Sequence, residues 1–183
     1  LGQTTTTTTN TVQQGIAKGS SLTAGGNVTV NAGGDALFEG AQVNAIGNIN
    51  VDAENISVLA AQNSSGSQHN TEYLQVGLNL NASTSNVSLT AGFSQSDSEL
   101  DTQNTDAMGS SLNAGGNVNL NARNDLAVIG SDINGDDSVA LTAGNDIIIK
   151  AAENQFSSNS EDSHLSAGAG ANFGSNGVGF TAN

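Results

Sequence analysis

The sequence predicts an all-β chain: a parallel β-helix (β-solenoid) interrupted by antiparallel β-hairpin excursions. Three observations predict it. A long unit recurs, because Ser20-Ser21-Leu22-Thr23-Ala24-Gly25-Gly26-Asn27-Val28 reappears as Ser110-Ser111-Leu112-Asn113-Ala114-Gly115-Gly116-Asn117-Val118, 90 positions on. Inside each unit a shorter period runs, with Asn27-Val28-Thr29-Val30 followed 21 positions later by Asn48-Ile49-Asn50-Val51. Composition is the third. Aromatic residues make up 3% and charged residues 11%, and proline is absent, whereas a disordered Gly/Ser/Asn-rich chain usually carries proline and charge runs. Small β-branched and aliphatic residues at regular intervals point instead to many thin β-layers.

The chain divides accordingly. Residues 1–19 read as the end of a preceding repeat's hairpin, with Gly2 aligned under Gly92 and Gly19 under Gly109. Residues 20–63 form the coils of repeat one, 64–109 a hairpin excursion, 110–154 the coils of repeat two, and 155–183 the first part of the next hairpin. The sequence is thus expected to be a stretch of a longer array that opens and closes partway through repeats. Within the coils, Ala36–Phe38 and Gln42–Asn44 are short strand-like pieces between Gly- and Asn-rich corners, and Val118–Leu120, Leu126–Val128, Val139–Leu141 and Ile147–Ile149 repeat the pattern. One coil of roughly 20 residues cannot bury its inward aliphatic side chains alone. Stacked coils about 4.8 Å apart pair every strand above and below and line those side chains into ladders. Gly25-Gly26 and Gly33-Gly34 are expected to supply positive-φ turns.

The excursions follow a different rule. Leu74, Val76, Leu78, Leu80 and Ala82 alternate with smaller or polar residues, and after Ser83–Asn86 the residues Val87, Leu89, Ala91 and Phe93 alternate again. A reversal at Ser83–Asn86 sets Ala82 opposite Val87, Leu80 opposite Leu89, Leu78 opposite Ala91 and Val76 opposite Phe93, all on one face. The same register pairs Phe173 with Val178 and Ala171 with Phe180. Thr4–Thr9 is expected to be the returning strand of an earlier hairpin.

Charge narrows the function. The formal net charge is −14, and the basic residues are Lys18, Arg123 and Lys150 alone. Three scattered cations cannot neutralise a phosphate backbone, so no nucleic acid is expected as a partner. They also cannot assemble the cationic site that a lyase of acidic polysaccharides requires. The absence of cysteine fits a chain exported unfolded, since a disulfide would obstruct a narrow outer-membrane pore.

Few residues invite chemistry. His69 and His164 do not occupy equivalent repeat positions, since Tyr73 aligns with His164. A site built into the repeat would recur with it, so both histidines are expected to be solvated. Asp97, Glu99, Asp101 and Asp106, and again Asp132, Asp136 and Asp137, raise the question of calcium. Neither group has EF-hand spacing, and acidic loops also discourage edge-to-edge aggregation. Asp136-Asp137, at a tight corner, is the better candidate of the two. The Gly-Gly pairs precede strands rather than helices and lack a following Lys-Ser/Thr, which leaves them as turn glycines. No catalytic, cofactor-binding or metal-binding residue is assigned.

An approximately 90-residue repeat opening on Ala24-Gly25-Gly26-Asn27-Val28 and Ala114-Gly115-Gly116-Asn117-Val118, with the Asn48–Val51 rung and the Leu74–Phe93 hairpin, resembles the hemagglutinin-repeat region of two-partner-secreted exoproteins. That family includes filamentous hemagglutinin and the large effectors of contact-dependent growth inhibition. The resemblance implies a right-handed parallel β-helical rod, secreted to the bacterial cell surface through a partner outer-membrane transporter. It implies no catalytic motif and no cofactor. It further implies a role in delivering a toxin across a target cell's outer membrane or, alternatively, in adhesion to a host surface receptor or as a passive rod spacer.

Overall fold

A computed structural model of the chain describes residues 1–175 and 177–182. In chain order the strands are β1 (Gly2–Gly15), β2 (Ser21–Ala24), β3 (Val28–Asn31), β4 (Ala36–Glu39), β5 (Gln42–Ala45), β6 (Ile49–Ala53), β7 (Ile56–Leu59), β8 (Ala61–Ala82), β9 (Asn86–Met108), β10 (Ser111–Ala114), β11 (Asn117–Ala122), β12 (Leu126–Ile129), β13 (Asp132–Gly135), β14 (Ser138–Ala143), β15 (Ile147–Lys150), β16 (Gln155–Gly174) and β17 (Gly177–Ala182). No described residue lies in a helix. Two compact units result. One, the sheet unit, comprises residues 1–13, 66–103 and 157–183; the other, the coil unit, comprises 14–65 and 104–156.

The coil unit is a β-solenoid of four coils. Three parallel sheets run through it in the orders β13-β10-β5-β2, β14-β11-β6-β3 and β15-β12-β7-β4. Each coil therefore gives one short strand to each sheet, and coils one to four are β2–β4, β5–β7, β10–β12 and β13–β15. Strand alternation sends every second side chain inward. Register then stacks those side chains as ladders: Leu22–Val43–Leu112–Ile133, Val28–Ile49–Val118–Val139, Val30–Val51–Leu120–Leu141, Ala36–Ile56–Leu126–Ile147 and Phe38–Val58–Val128–Ile149. In the two middle coils the inward residues are sealed, with Ile56, Val58, Leu112, Val118 and Leu126 fully buried.

Outward positions stack too, and there the ladder is polar. Asn113 Nδ2 donates to Asn44 Oδ1 (3.0 Å), Asn134 Nδ2 to Asn113 Oδ1 (3.0 Å), and Asn119 Nδ2 to Asn50 Oδ1 (2.8 Å). An amide carries donors and an acceptor, so identical residues in successive coils satisfy one another; this is why asparagine recurs at the repeat spacing. The corners stack by backbone bonds, for example Gly47 N to Gly26 O (3.0 Å), Gly116 N to Gly47 O (3.1 Å) and Asp137 N to Gly116 O (3.1 Å).

One expectation about the corners fails. Gly25-Gly26 and Gly33-Gly34 do not adopt positive φ; in the coil unit that conformation falls to the equivalent pair Gly40 (φ 55°) and Gly130 (φ 56°), at the third corner. A Cβ on Gly25, Gly26, Gly33 or Gly34 would meet nothing within 4 Å, whereas at the equivalent Gly115-Gly116, stacked on the second coil, the demand is for room. A Cβ on Gly115 would meet the Ile46 carbonyl, and one on Gly116 the Asn48 side chain. At the third corner Ser110 is 1% exposed, its Oγ donating to the Leu59 carbonyl (2.7 Å) and accepting from the Ala41 N–H (2.9 Å). Ser110→Ala leaves both partners unsatisfied and is expected to cost about 1–3 kcal/mol, read as a lowered thermal midpoint.

The sheet unit is a single antiparallel sheet in the order β1-β8-β9-β16-β17. Ser83 N–H donates to Asn86 O (2.8 Å) at the reversal, and Ser67 Oγ meets Thr102 Oγ1 (2.7 Å) far down the same strand pair. Both contacts belong to the register that places Ala82 opposite Val87 and Leu78 opposite Ala91. In the next hairpin Phe173 faces Val178 and Ala171 faces Phe180. Each repeat thus adds two strands to this sheet and two coils to the solenoid. Both spacings are about 4.8 Å.

Candidate functional site

The sheet unit presents the feature that calls for a function: an apolar face with no cover. The alternation Leu74, Val76, Leu78, Leu80 on β8 and Val87, Leu89, Ala91, Phe93 on β9 puts these side chains on one face, and Leu165, Phe173, Val178 and Phe180 extend it across β16 and β17. Their exposures run from 40% at Phe93 to 81% at Phe180. Nine residues from Leu74 to Ala82 span about 27 Å at strand rise. A contiguous apolar patch of this kind is uncommon on a soluble monomer and marks a contact surface.

The apolar band has a sharp lower border. On the same face, Glu72 on β8 and Asp97, Glu99 and Asp101 on β9 follow directly, with Glu161 on β16. Amide and hydroxyl donors engage them: Gln68 Nε2 to Glu99 Oε1 (2.7 Å), Gln95 Nε2 to Asp97 Oδ2 (3.3 Å) and Ser163 Oγ to Asp97 Oδ2 (3.5 Å). Asp97 Oδ1 is buried without a partner. Among the described residues no group of three His, Asp or Glu side chains is placed to hold a metal ion.

The opposite face of the sheet is small and polar. Asn79, Gln75, Ser88, Thr90, Ser94 and Ser166 lie there, and Gly2, Gly77, Gly92 and Gly168 align across four neighbouring strands. A Cβ on Gly2 would lie 3.5 Å from Gly77 Cα, and one on Gly92 3.4 Å from Gly168 Cα. This glycine row floors a shallow groove of about 500 Å³ edged by Gln75, Asn79, Thr90 and Ser94.

The structure does not unite the sequence-level candidates. His69 lies on β8, its Nδ1 against Asn10 Oδ1 and its Nε2 3.1 Å from Thr71 Oγ1, while His164 is exposed on β16. With β9 between those strands, the two rings stand at least about 10 Å apart. Asp106 accepts from Asn104 Nδ2 (2.7 Å). Asp132 opens β13, and Asp136-Asp137 occupy the corner where other coils carry Gly25-Gly26 and Gly115-Gly116. All three are exposed. The acidic border and the glycine row were not anticipated, because each is drawn across several strands of the β1-β8-β9-β16 order and takes shape only once their register is known.

Comparison with known proteins agrees with this architecture. The family model described as "Hemagglutinin repeat" matches residues 1–95 and again 91–183, so two matches cover the chain end to end. No curated protein and no solved structure matches it. Repeats of this family are structural and non-catalytic, occur in secreted surface exoproteins, and are generally part of two-partner secretion systems. The repeat match and the four-coil solenoid lead to one conclusion: the chain belongs to the hemagglutinin-repeat family.

Proposed function

We propose that this chain is part of the extracellular rod of a two-partner-secreted exoprotein of the contact-dependent growth inhibition kind, and that it helps carry a toxin across the outer membrane of a target cell. The observation that carries this reading is the uncovered apolar face of the hairpin sheet. Its strands alternate apolar and small polar residues over about 27 Å, close to the roughly 25 Å apolar band of outer-membrane strands. Nine to eleven residues suffice for such a strand to cross. The carboxylates of Glu72, Asp97 and Glu99 begin where the band ends, which limits entry to the distal half of each hairpin. Among the described residues no helix is long and apolar enough to cross a membrane, a fact without bearing on strands.

In this reading the chain leaves its own cell through a partner outer-membrane transporter, and its role is mechanical rather than catalytic. Adhesion through the outward asparagine ladders is the weaker alternative, since those amides already spend donors and acceptors on one another. The test is co-sedimentation of the purified chain with Gram-negative outer-membrane vesicles. Association that resists high salt is expected, because burial of the apolar face is not screened. A chain that stays in the supernatant under all conditions, or binds host cells saturably while ignoring the vesicles, would overturn the proposal.

A further inference from the structure

The apolar band on the hairpin sheet is large enough to be one half of an interface. It runs about 27 Å along the strands and crosses β8, β9, β16 and β17, about 19 Å at strand spacing. Taken as flat, that is about 500 Å² on one copy and about 1,000 Å² where two such faces meet, the size at which specific protein contacts begin. Side-chain relief raises the accessible area above the flat figure. The middle of the band lies on β8 and β9, each paired on both sides, where Leu78 is 54% and Leu89 47% exposed. That exposure does not come from a missing strand neighbour.

Charge decides how two such faces can meet. The sheet unit contains no lysine or arginine, since Lys18, Arg123 and Lys150 all lie in the coil unit. Its acidic border stands at one end of the band. The register that joins Ser67 to Thr102 puts Glu72 beside Asp97, and the register that joins Asp97 to Ser163 puts Glu99 beside Glu161. Faces laid together with their strands in the same direction would bring both acidic rows together, with no cation to offset them. Like charges set against each other across an interface are strongly unfavourable.

Turning one copy end for end removes the conflict. A two-fold axis across the strands, at the row of Leu78 and Ala91, sets Glu72 of one copy over Thr84 of the other and Asp97 over Ser85. Each acidic row then meets the Ser83–Asn86 turn, whose hydroxyl and amide groups can donate to carboxylates. The same axis matches the band to itself. Leu80 comes over Val76 of the other copy, Leu89 over Phe93, and Ala82 over Leu74, so apolar side chains face one another on both sides of the axis.

We propose that two copies of this chain associate through the apolar faces of their hairpin sheets, strands antiparallel and sheets about 10 Å apart as in a β-sandwich. The contact is isologous, so it closes on a pair. It uses the face that the membrane reading uses but does not rest on that reading. A chain that dimerises and never associates with vesicles refutes the membrane reading alone. Where both hold, lipid and the second copy compete for one surface, and the dimer keeps that surface from water until a membrane replaces it.

Sedimentation equilibrium of the purified chain gives the first readout, and a dimer that dissociates on dilution is expected. Leu78→Lys sets two ammonium groups face to face at the axis and is expected to raise the dimer Kd roughly a hundredfold. Asn79→Lys, on the opposite face, should leave the Kd unchanged. Orientation is read with a nitroxide on Thr84→Cys, an exposed turn position in a cysteine-free chain. Antiparallel copies hold the two labels about 40 Å apart, the rise of about twelve strand residues, and double electron–electron resonance should report that distance. Far-UV circular dichroism confirms that each variant folds. A chain still monomeric at about 1 mM, a Leu78→Lys variant that dimerises as the parent does, or labels within about 20 Å of each other would overturn the proposal.

Discussion

Leu120→Asp is expected to abolish the folded coil stack, whereas Asn119→Asp, one position away, leaves it folded. Leu120 is 1% exposed and sits in the third coil between Val51 and Leu141. A carboxylate there has no cation within the core to pair with, and burying it costs on the order of 5 kcal/mol or more. That is comparable with the whole stability of a typical domain, about 5–15 kcal/mol. In a solenoid the loss also reaches both neighbouring coils, because each depends on the next for its interface. Asn119 points outward, and its change forfeits one amide hydrogen bond to Asn50, about 1 kcal/mol. Thermal melts by circular dichroism check the contrast; similar midpoints for the two variants would mean that the coils do not alternate as described.

The second large effect concerns the apolar sheet face. Leu78→Lys combined with Leu89→Lys is expected to reduce association with outer-membrane vesicles on the order of a thousandfold. Each lysine on a lipid-facing strand position near mid-membrane costs about 2–4 kcal/mol, and every 1.4 kcal/mol is a factor of about ten. The soluble fold has little at stake, since Leu78 and Leu89 are 54% and 47% exposed. Lysine also attracts anionic lipid headgroups, so any electrostatic bias works against the expected loss. Asn79→Lys with Ser88→Lys, on the opposite face, is expected to bind nearly as the parent does. Equal binding by all three proteins, measured by co-sedimentation, would remove the apolar face from the account.

Much of this architecture is legible in the sequence, for a physical reason. A solenoid coil buries its side chains against copies of itself, so period and pattern appear as near-identity, as in Ser20–Val28 and Ser110–Val118. The hairpin registers were readable because Leu74–Ala82 and Val87–Phe93 alternate. Beyond them the pattern vanishes: β8 begins at Ala61 and β9 ends at Met108, well past the apolar segments. Those lower halves are polar on both faces and are held by backbone pairing to strands on either side, which leaves no hydrophobic trace. The positive-φ glycines were misplaced because sequence does not tell the corner at Gly40 and Gly130, which takes positive φ, from the Gly-Gly corner, where crowding by the stacked coil appears at Gly115-Gly116 and not at Gly25-Gly26. The acidic border of the apolar face combines β8, β9 and β16 and emerges from register alone.

The delivery role is tested most directly by deleting one complete repeat, Ser20 through Gly109, in frame from the parent exoprotein. Because each repeat brings its own two coils and two sheet strands, the shortened chain should still be exported, folded and displayed. Surface display, attachment to target cells and toxin entry are then scored separately. The account predicts that toxin entry falls while display and attachment persist. Entry that is unchanged in the shortened rod, or lost only together with attachment, would contradict it.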